Sequence, residues 1–226
     1  MLLYMKNWYE ALPKDKALKR DKHFKLHMIE PNSMITCIGG TGSGKTNALV
    51  DFISRKNEAF YQILIYSGST TEEPLYEFIK QKMPDVQYFN DINEVPELNS
   101  FEDTKDQEKL IVFDDFINLP KKEMKKINEY LTSGRKFGFT VWCMAQNYTS
   151  VPKTVLRNTN YFIIFKLNET YTINHILKLY NLYNVPKDRF LAYYQDATKD
   201  KLNFFLIDMK NKQYHLRKNW LNPYPL

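Results

Sequence analysis

The sequence predicts a three-layer α/β fold on a mostly parallel central sheet, closed by a C-terminal β-hairpin, and three observations support this. Short apolar runs of strand length alternate with amphipathic stretches of helical period through the middle of the chain. The run Met34-Ile35-Thr36-Cys37-Ile38 leads directly into Gly39-Gly40-Thr41-Gly42-Ser43-Gly44-Lys45-Thr46 and then into a helical pattern. A later run, Leu110-Ile111-Val112-Phe113, ends in Asp114-Asp115.

Taken in order, the chain opens with a basic cluster, Lys14, Lys16, Lys19, Arg20, Lys22 and Lys25. Phe24, Leu26 and Met28 then alternate with Lys25 and His27, which predicts an edge strand after a loose terminus, or an arm reaching a neighbour or DNA. His23 and His27 have no companion ligands nearby, so no metal site is expected there. Lys45 to Arg55 is helical through Leu49, Phe52 and Ile53. Tyr61 to Tyr66 reads as a strand ended by Ser67-Gly68-Ser69, Glu72 to Lys82 as a helix stopped before Pro84, and Val86 to Phe89 as a short strand. The acidic stretch 91–109 has no steady period, contains Pro96, and reads as a surface connection with at most a short helix. Leu119 to Ser133 is an amphipathic helix, with Met124, Ile127 and Leu131 opposite Lys121, Lys122, Lys125 and Lys126. Those lysines suit a solvated face or a DNA-facing one. Phe139 to Ala145 is a buried strand ending in Gln146-Asn147, and Tyr161 to Phe165 is another. Thr172 to Tyr183 and Pro186 to Gln195 read as helices, and Leu202 to Met209 with Gln213 to Arg217 as the hairpin around Lys210-Asn211-Lys212. One domain is expected: an arm and lead-in strand over 1–30, a core over 31–200 and the hairpin over 201–226.

The chain of 226 residues carries a net charge of +6, unevenly spread. Residues 91–109 hold seven acids (Asp91, Glu94, Glu97, Glu102, Asp103, Asp106, Glu108) against Lys105 and Lys109, a net −5 that leaves +11 on the remainder. A basic body is compatible with a polyanionic partner such as nucleic acid, and equally with a lysine-, asparagine- and tyrosine-rich solvated surface. No apolar run reaches the ~18 residues of a spanning helix, and the N-terminus lacks the apolar core of a signal peptide. A soluble, intracellular protein is therefore the expectation, with Cys37 and Cys143 as small core residues rather than a disulfide.

The octapeptide 39–46 fits G-x-x-x-x-G-K-[ST], the Walker A phosphate loop. Glycines let successive N–H groups turn around phosphate oxygens while the following helix points its positive end at them. Gly39, Gly40, Thr41, Gly42, Ser43, Gly44, Lys45, Thr46 and Asn47 are thus the candidate ATP-binding residues, with Lys45 on the β/γ-phosphates and Thr46 on Mg²⁺. Asp114, at a strand end, is a Walker B candidate for the Mg²⁺ shell, and Asp115 would lie next to an attacking water. Adjacent aspartates after a strand also serve as turn or cap residues. Gln146 closes the strand expected between the two Walker strands, where its amide could report the γ-phosphate. Arg135, in the Ser133-Gly134-Arg135-Lys136-Phe137-Gly138 turn, precedes that strand at its opposite end and would reach a nucleotide only across an interface, as an arginine finger. Arg157 is a second candidate for that task.

These motifs, with Gly-Arg-Lys-Phe-Gly at 134–138, the strand ending in Ala145-Gln146, and Val151 to Asn158 leading into an apolar strand, resemble the FtsK–HerA class of P-loop ATPases. Within it the chain is most similar to the genome-packaging ATPases of poxviruses, other large DNA viruses and virophages, over roughly residues 24–167. The resemblance implies a RecA-like P-loop NTPase fold and ATP hydrolysis with Mg²⁺ at the subunit interfaces of a hexameric ring. It also implies translocation of double-stranded DNA into a preformed capsid, with capsid or portal-vertex proteins as partners. The setting would be the viral factory of the host cytoplasm, with association to the virion. By the same match Arg135 becomes the trans finger and Gln146 the sensor. Many relatives have Glu where this chain has Asp115; one methylene shorter, Asp115 would hold the water differently. Two other readings are a monomeric P-loop nucleotide kinase and a nucleotide-gated protein that binds DNA or capsid.

Overall fold

A computed structural model of the chain describes residues 22–56, 59–69, 74–83, 86–167, 170–179, 185–211 and 215–225. Among these residues the strands form one nine-stranded sheet in the order β3-β2-β4-β5-β1-β6-β7-β8-β9. The strands are β1 (Met34–Ile38), β2 (Gln62–Ser67), β3 (Gln87–Phe89), β4 (Lys109–Asp114), β5 (Phe139–Ala145) and β6 (Tyr161–Ile164), followed by β7 (Phe205–Asp208), β8 (Leu216–Lys218) and β9 (Asn222–Pro223). Pairings from β3 through β6 are parallel, and β7, β8 and β9 extend the sheet antiparallel. Every residue of β1, β5, β6 and β7 is buried. Strands covered on both faces read as continuous apolar runs, which explains why they stand out in the sequence.

Side chains alternate between the faces. Ile35, Cys37 and Trp142 pack with Leu49, Phe52 and Ile53 of α1 (Lys45–Lys56) and with Tyr76 and Ile79 of α2 (Pro74–Lys82). On the other face Ile38, Phe113, Phe139 and Cys143 pack with Ile127 and Tyr130 of α3 (Lys121–Ser133) and Val155 of α4 (Lys153–Asn158). Ile176 of α5 (Thr170–Leu179) and Phe190 of α6 (Lys187–Ala197) complete that layer. The expected three-layer α/β architecture is thus present. Both cysteines are free and buried, each on its own face, and burial pushes both thiols above their ordinary range.

Several boundaries differ from expectation. Phe24 to Met28 is not a strand: Phe24–Leu26 is a 3-10 turn, closed by Leu26 N on His23 O at 2.8 Å and Met28 N on Phe24 O at 2.7 Å. His27 turns inward instead of alternating outward; its ring lies 5.4 Å from that of Phe52 and its Nδ1 accepts from Ile29 N at 3.0 Å. The basic residues Lys14, Lys16, Lys19 and Arg20 lie outside the described residues, as do the first residues of the helix expected from Glu72 and the hairpin tip at 212–214. Leu202 is not in a strand but in a turn with φ 68°, and β7 starts at Phe205.

The acidic stretch is more than a surface connection. It winds into two 3-10 helices, Ile92–Glu94 and Leu98–Thr104, that bury Ile92, Leu98 and Phe101 against the α3 face. Lys126 departs from the solvated lysine face, donating to Val95 O at 2.7 Å and pairing with Glu97 at 2.9 Å. Lys121, Lys122 and Lys125 remain exposed.

Candidate functional site

The parallel register brings the predicted residues together. Ile38 pairs with Ala145, Asp114 with Met144 and Ser67 with Asp114, so four neighbouring strands end at one level. β5 lies between β1 and β4, which places Gln146 between the glycine loop and the two aspartates. A cavity of about 570 Å³ opens there, lined by Lys45, Thr46, Asn47, Asp114, Asp115 and Gln146 among others.

The loop is anchored at its base by Gly39 N donating to Ala145 O at 3.2 Å, and α1 begins at Lys45. Gly42 and Gly44 have φ of 73° and 112°, a region other residues avoid. Added Cβ atoms at Gly40 and Gly42 would meet no protein atom within 4 Å, so this rim is open to a ligand. Ser43 Oγ is buried with no hydrogen-bond partner among the described residues, leaving a donor for a phosphate oxygen. Lys45 Nζ donates to Gly39 O at 2.7 Å and Gly40 O at 3.1 Å, which holds the ammonium over the loop. Thr41 Oγ1 lies 3.4 Å from Gln146 Oε1, joining the loop to the end of β5.

Asp114 accepts a hydrogen bond from Tyr76 Oη of α2 at 2.7 Å. Burial pushes its carboxyl above the usual carboxylate range, and the Tyr76 hydrogen bond and the Lys45 charge hold it back. Asp115 has φ 51°, one of the few non-glycine residues in the left-handed region, where Asp is tolerated. Its carbonyl crowds Gly68, whose N–H donates to Asp114 O at 3.0 Å. The Thr46 hydroxyl and the Asp114 carboxylate are hard oxygen donors of the kind Mg²⁺ takes together with phosphates. Among the described residues no group of three or more His, Cys, Asp or Glu gathers to hold a metal by protein ligands alone.

Arg135 is not in this cavity. It lines a separate one of about 290 Å³ at the opposite end of the sheet, beside Met34 and Phe139 at the starts of β1 and β5. Arg157, the second candidate, lines the same cavity, and both side chains are exposed. The Arg135 turn is rigidly set: Gly138 has φ 80°, and a Cβ there would come within 2.1 Å of Gln107 O. The buried Lys109 ammonium ties the turn to the acidic stretch through Phe137 O and Gln107 O, each at 3.0 Å, and through Thr104 O. Burial lowers the Lys109 pKa.

Three contributors have no signature in the sequence. Tyr76 reaches Asp114 from an ordinary amphipathic helix, and Lys201 and Leu202 reach the cavity from a turn about 155 residues downstream of the loop. No protein-family model and no curated protein matches the sequence. Solved structures do. The genome packaging NTPase B204 of Sulfolobus turreted icosahedral virus 2, in complex with ATPγS, superposes with a TM-score of 0.56 at 14% identity, over 83% of this chain and 96% of B204. EssC (ATPases 2 and 3) from Geobacillus thermodenitrificans gives 0.54 at 11% identity, over 85% of this chain and 40% of EssC. The pCW3 conjugation coupling protein TcpA, with ATPγS, gives 0.51 at 12% identity, over 86% of this chain and 62% of TcpA. The chain shares the fold of these proteins.

Proposed function

We propose that this chain is an ATP-hydrolysing motor that moves double-stranded DNA into a preformed viral capsid, working as a hexameric ring with ATP sites between subunits. The observation that carries the reading is the placement of the two cavities at the two ends of β5. One holds the loop, Asp114 and Gln146; the other presents Arg135 and Arg157, exposed and far from their own subunit's loop. Such a site is completed by a neighbour. The fold shared with a viral genome packaging NTPase supports the same direction.

In this reading the loop N–H groups and Lys45 bind the triphosphate. Thr46 and Asp114 would hold Mg²⁺, which when bound screens charge on the β- and γ-phosphates. Asp115 orients the attacking water and accepts its proton, and Gln146 contacts the γ-phosphate from the end of β5. Arg135 of the adjacent subunit, or Arg157 beside it, stabilises the charge on the transferring phosphoryl group. Duplex contacts would be to phosphates, through exposed lysines such as Lys121, Lys122 and Lys125, and would weaken with salt. Portal-vertex or capsid proteins are the assembly partners, in the host cytoplasm and on the virion.

Mixing inactive subunits tests the reading. Lys45→Ala and Arg135→Ala chains, each inactive alone, are expected to regain ATPase activity together, because mixed rings contain intact composite sites. An inactive mixture removes Arg135 as a trans finger. A wild-type rate per chain that ignores both protein concentration and duplex DNA would overturn the motor and favour a monomeric P-loop kinase.

A further inference from the structure

A third cavity, of about 420 Å³, lies across the loop from the first, lined by Gly40, Ser43, Phe165, Lys166, Asp200 and Leu202 among others. The two cavities share Thr41, Gly42, Lys201 and Leu202, so they form one trough with the glycine loop as its saddle. The end marked by Asp114 and Gln146 lies on the β4 and β5 side of β1, and the end marked by Phe165 lies on the β6 side. A nucleoside triphosphate with its terminal phosphate at Lys45 and Asp114 extends beyond that cluster, and the trough gives its remainder a path over the loop toward β6.

Leu202 stands at that exit. It is a large apolar side chain 45% exposed, on a residue with φ 68°, a backbone conformation leucine adopts only under constraint. The constraint is visible: Asn203 N donates to Asp200 O at 3.3 Å, Phe204 N to Asn219 Oδ1 at 3.0 Å, and Asn219 Nδ2 to Asn203 Oδ1 at 2.9 Å. The turn presses Leu202 Cδ2 to within 2.9 Å of where a Gly44 Cβ would stand. Of the uncharged polar side chains lining this cavity, Thr198 is already engaged, its Oγ1 donating to Tyr194 O at 2.8 Å, while Ser43 Oγ stays on the phosphate-loop side without a partner among the described residues. We infer that the 198–203 turn is the nucleoside subsite: base and ribose occupy the third cavity, the base rests on Leu202, and Lys201 faces the phosphates that cross the saddle. This rests on the nucleotide reading proposed above and adds which surface holds the part of the substrate that is not phosphate.

The test compares ATP with inorganic tripolyphosphate, both with Mg²⁺, by calorimetry on the full chain. Leu202→Asn is the variant, because asparagine accepts the left-handed backbone and keeps the turn. ATP is expected to bind about tenfold more weakly, the size of losing roughly half a leucine side chain of apolar contact. Tripolyphosphate is expected to stay within about twofold, which also reports an intact loop. Unchanged ATP affinity, or equal weakening of both probes, would overturn the inference. A wild-type chain that binds neither probe would overturn the nucleotide reading itself, and the inference with it.

Discussion

Replacing Gly68 with alanine would set a Cβ 2.4 Å from Asp115 O, 3.2 Å from Tyr66 Oη and 3.3 Å from Asp115 C. Carbon contacts relax near ~3.5 Å, so the Asp115 peptide must withdraw by about 1 Å. The withdrawing segment is the one that carries both carboxylates, since Gly68 N also bonds Asp114 O at 3.0 Å. Overpacking of this kind costs about 1–3 kcal/mol, which leaves the sheet folded. Displacing a reacting group by 1 Å costs about a hundredfold in rate. Gly68→Ala should therefore lower turnover about a hundredfold in a phosphate-release assay. ATP affinity, which the proposed function assigns to residues 39–47, should stay within about threefold. A variant that turns over within twofold of the parent would refute the claim that this close approach sets the position of Asp115.

Tyr76→Phe removes the hydrogen bond to Asp114 and is expected to raise the Mg²⁺ concentration for half-maximal activity about fivefold, the equivalent of about 1 kcal/mol; an unchanged Mg²⁺ titration would show that Asp114 needs no such support. Arg217→Met leaves Asp208 buried without its partner at 2.9 Å, and urea unfolding should report a loss of about 3 kcal/mol or more. His215 is held below its ordinary pKa of 6.5 by burial, so the unfolded chain binds the proton more readily. Its contribution to stability is full above about pH 6.5 and lost as pH falls through the lower, folded value. The melting temperature should drop over that range, and His215→Gln should flatten the drop.

The parts legible in the sequence were those where one residue type is physically forced. Glycine at left-handed φ in residues 42 and 44, a lysine at the helix start, and carboxylates at the end of a strand buried through its first five residues admit few substitutes. Strand order then placed Gln146 beside the loop and Arg135 far from it. Leu202 escaped notice because it reads in the sequence as the first residue of a hairpin strand, and nothing local signals the turn that packs it onto Gly44 from about 155 residues away. Tyr76 escaped for a similar reason: an amphipathic helix gives no hint of which hydroxyl meets a strand end. In the acidic stretch a signal was present. Ile92, Val95, Leu98 and Phe101 recur every three residues, the period of the 3-10 helix, and all four are buried. Charge density obscured it. The alternation at Phe24 to Met28 misled because five residues are too few to separate a strand from a tight turn whose histidine faces inward.

β5 has seven consecutive buried residues, with parallel strands on both sides, and at about 3.3 Å per residue it spans about 20 Å. Gln146 follows one end and the Arg135 turn precedes the other. A strand so enclosed resists bending and stretching, so it behaves as a strut. In the proposed ring, a tilt that lifts Gln146 from one nucleotide would swing Arg135 relative to the next. Timing around a ring would then require no relay of side-chain rearrangements: each subunit would be a lever, and the order of firing would follow from which end is held.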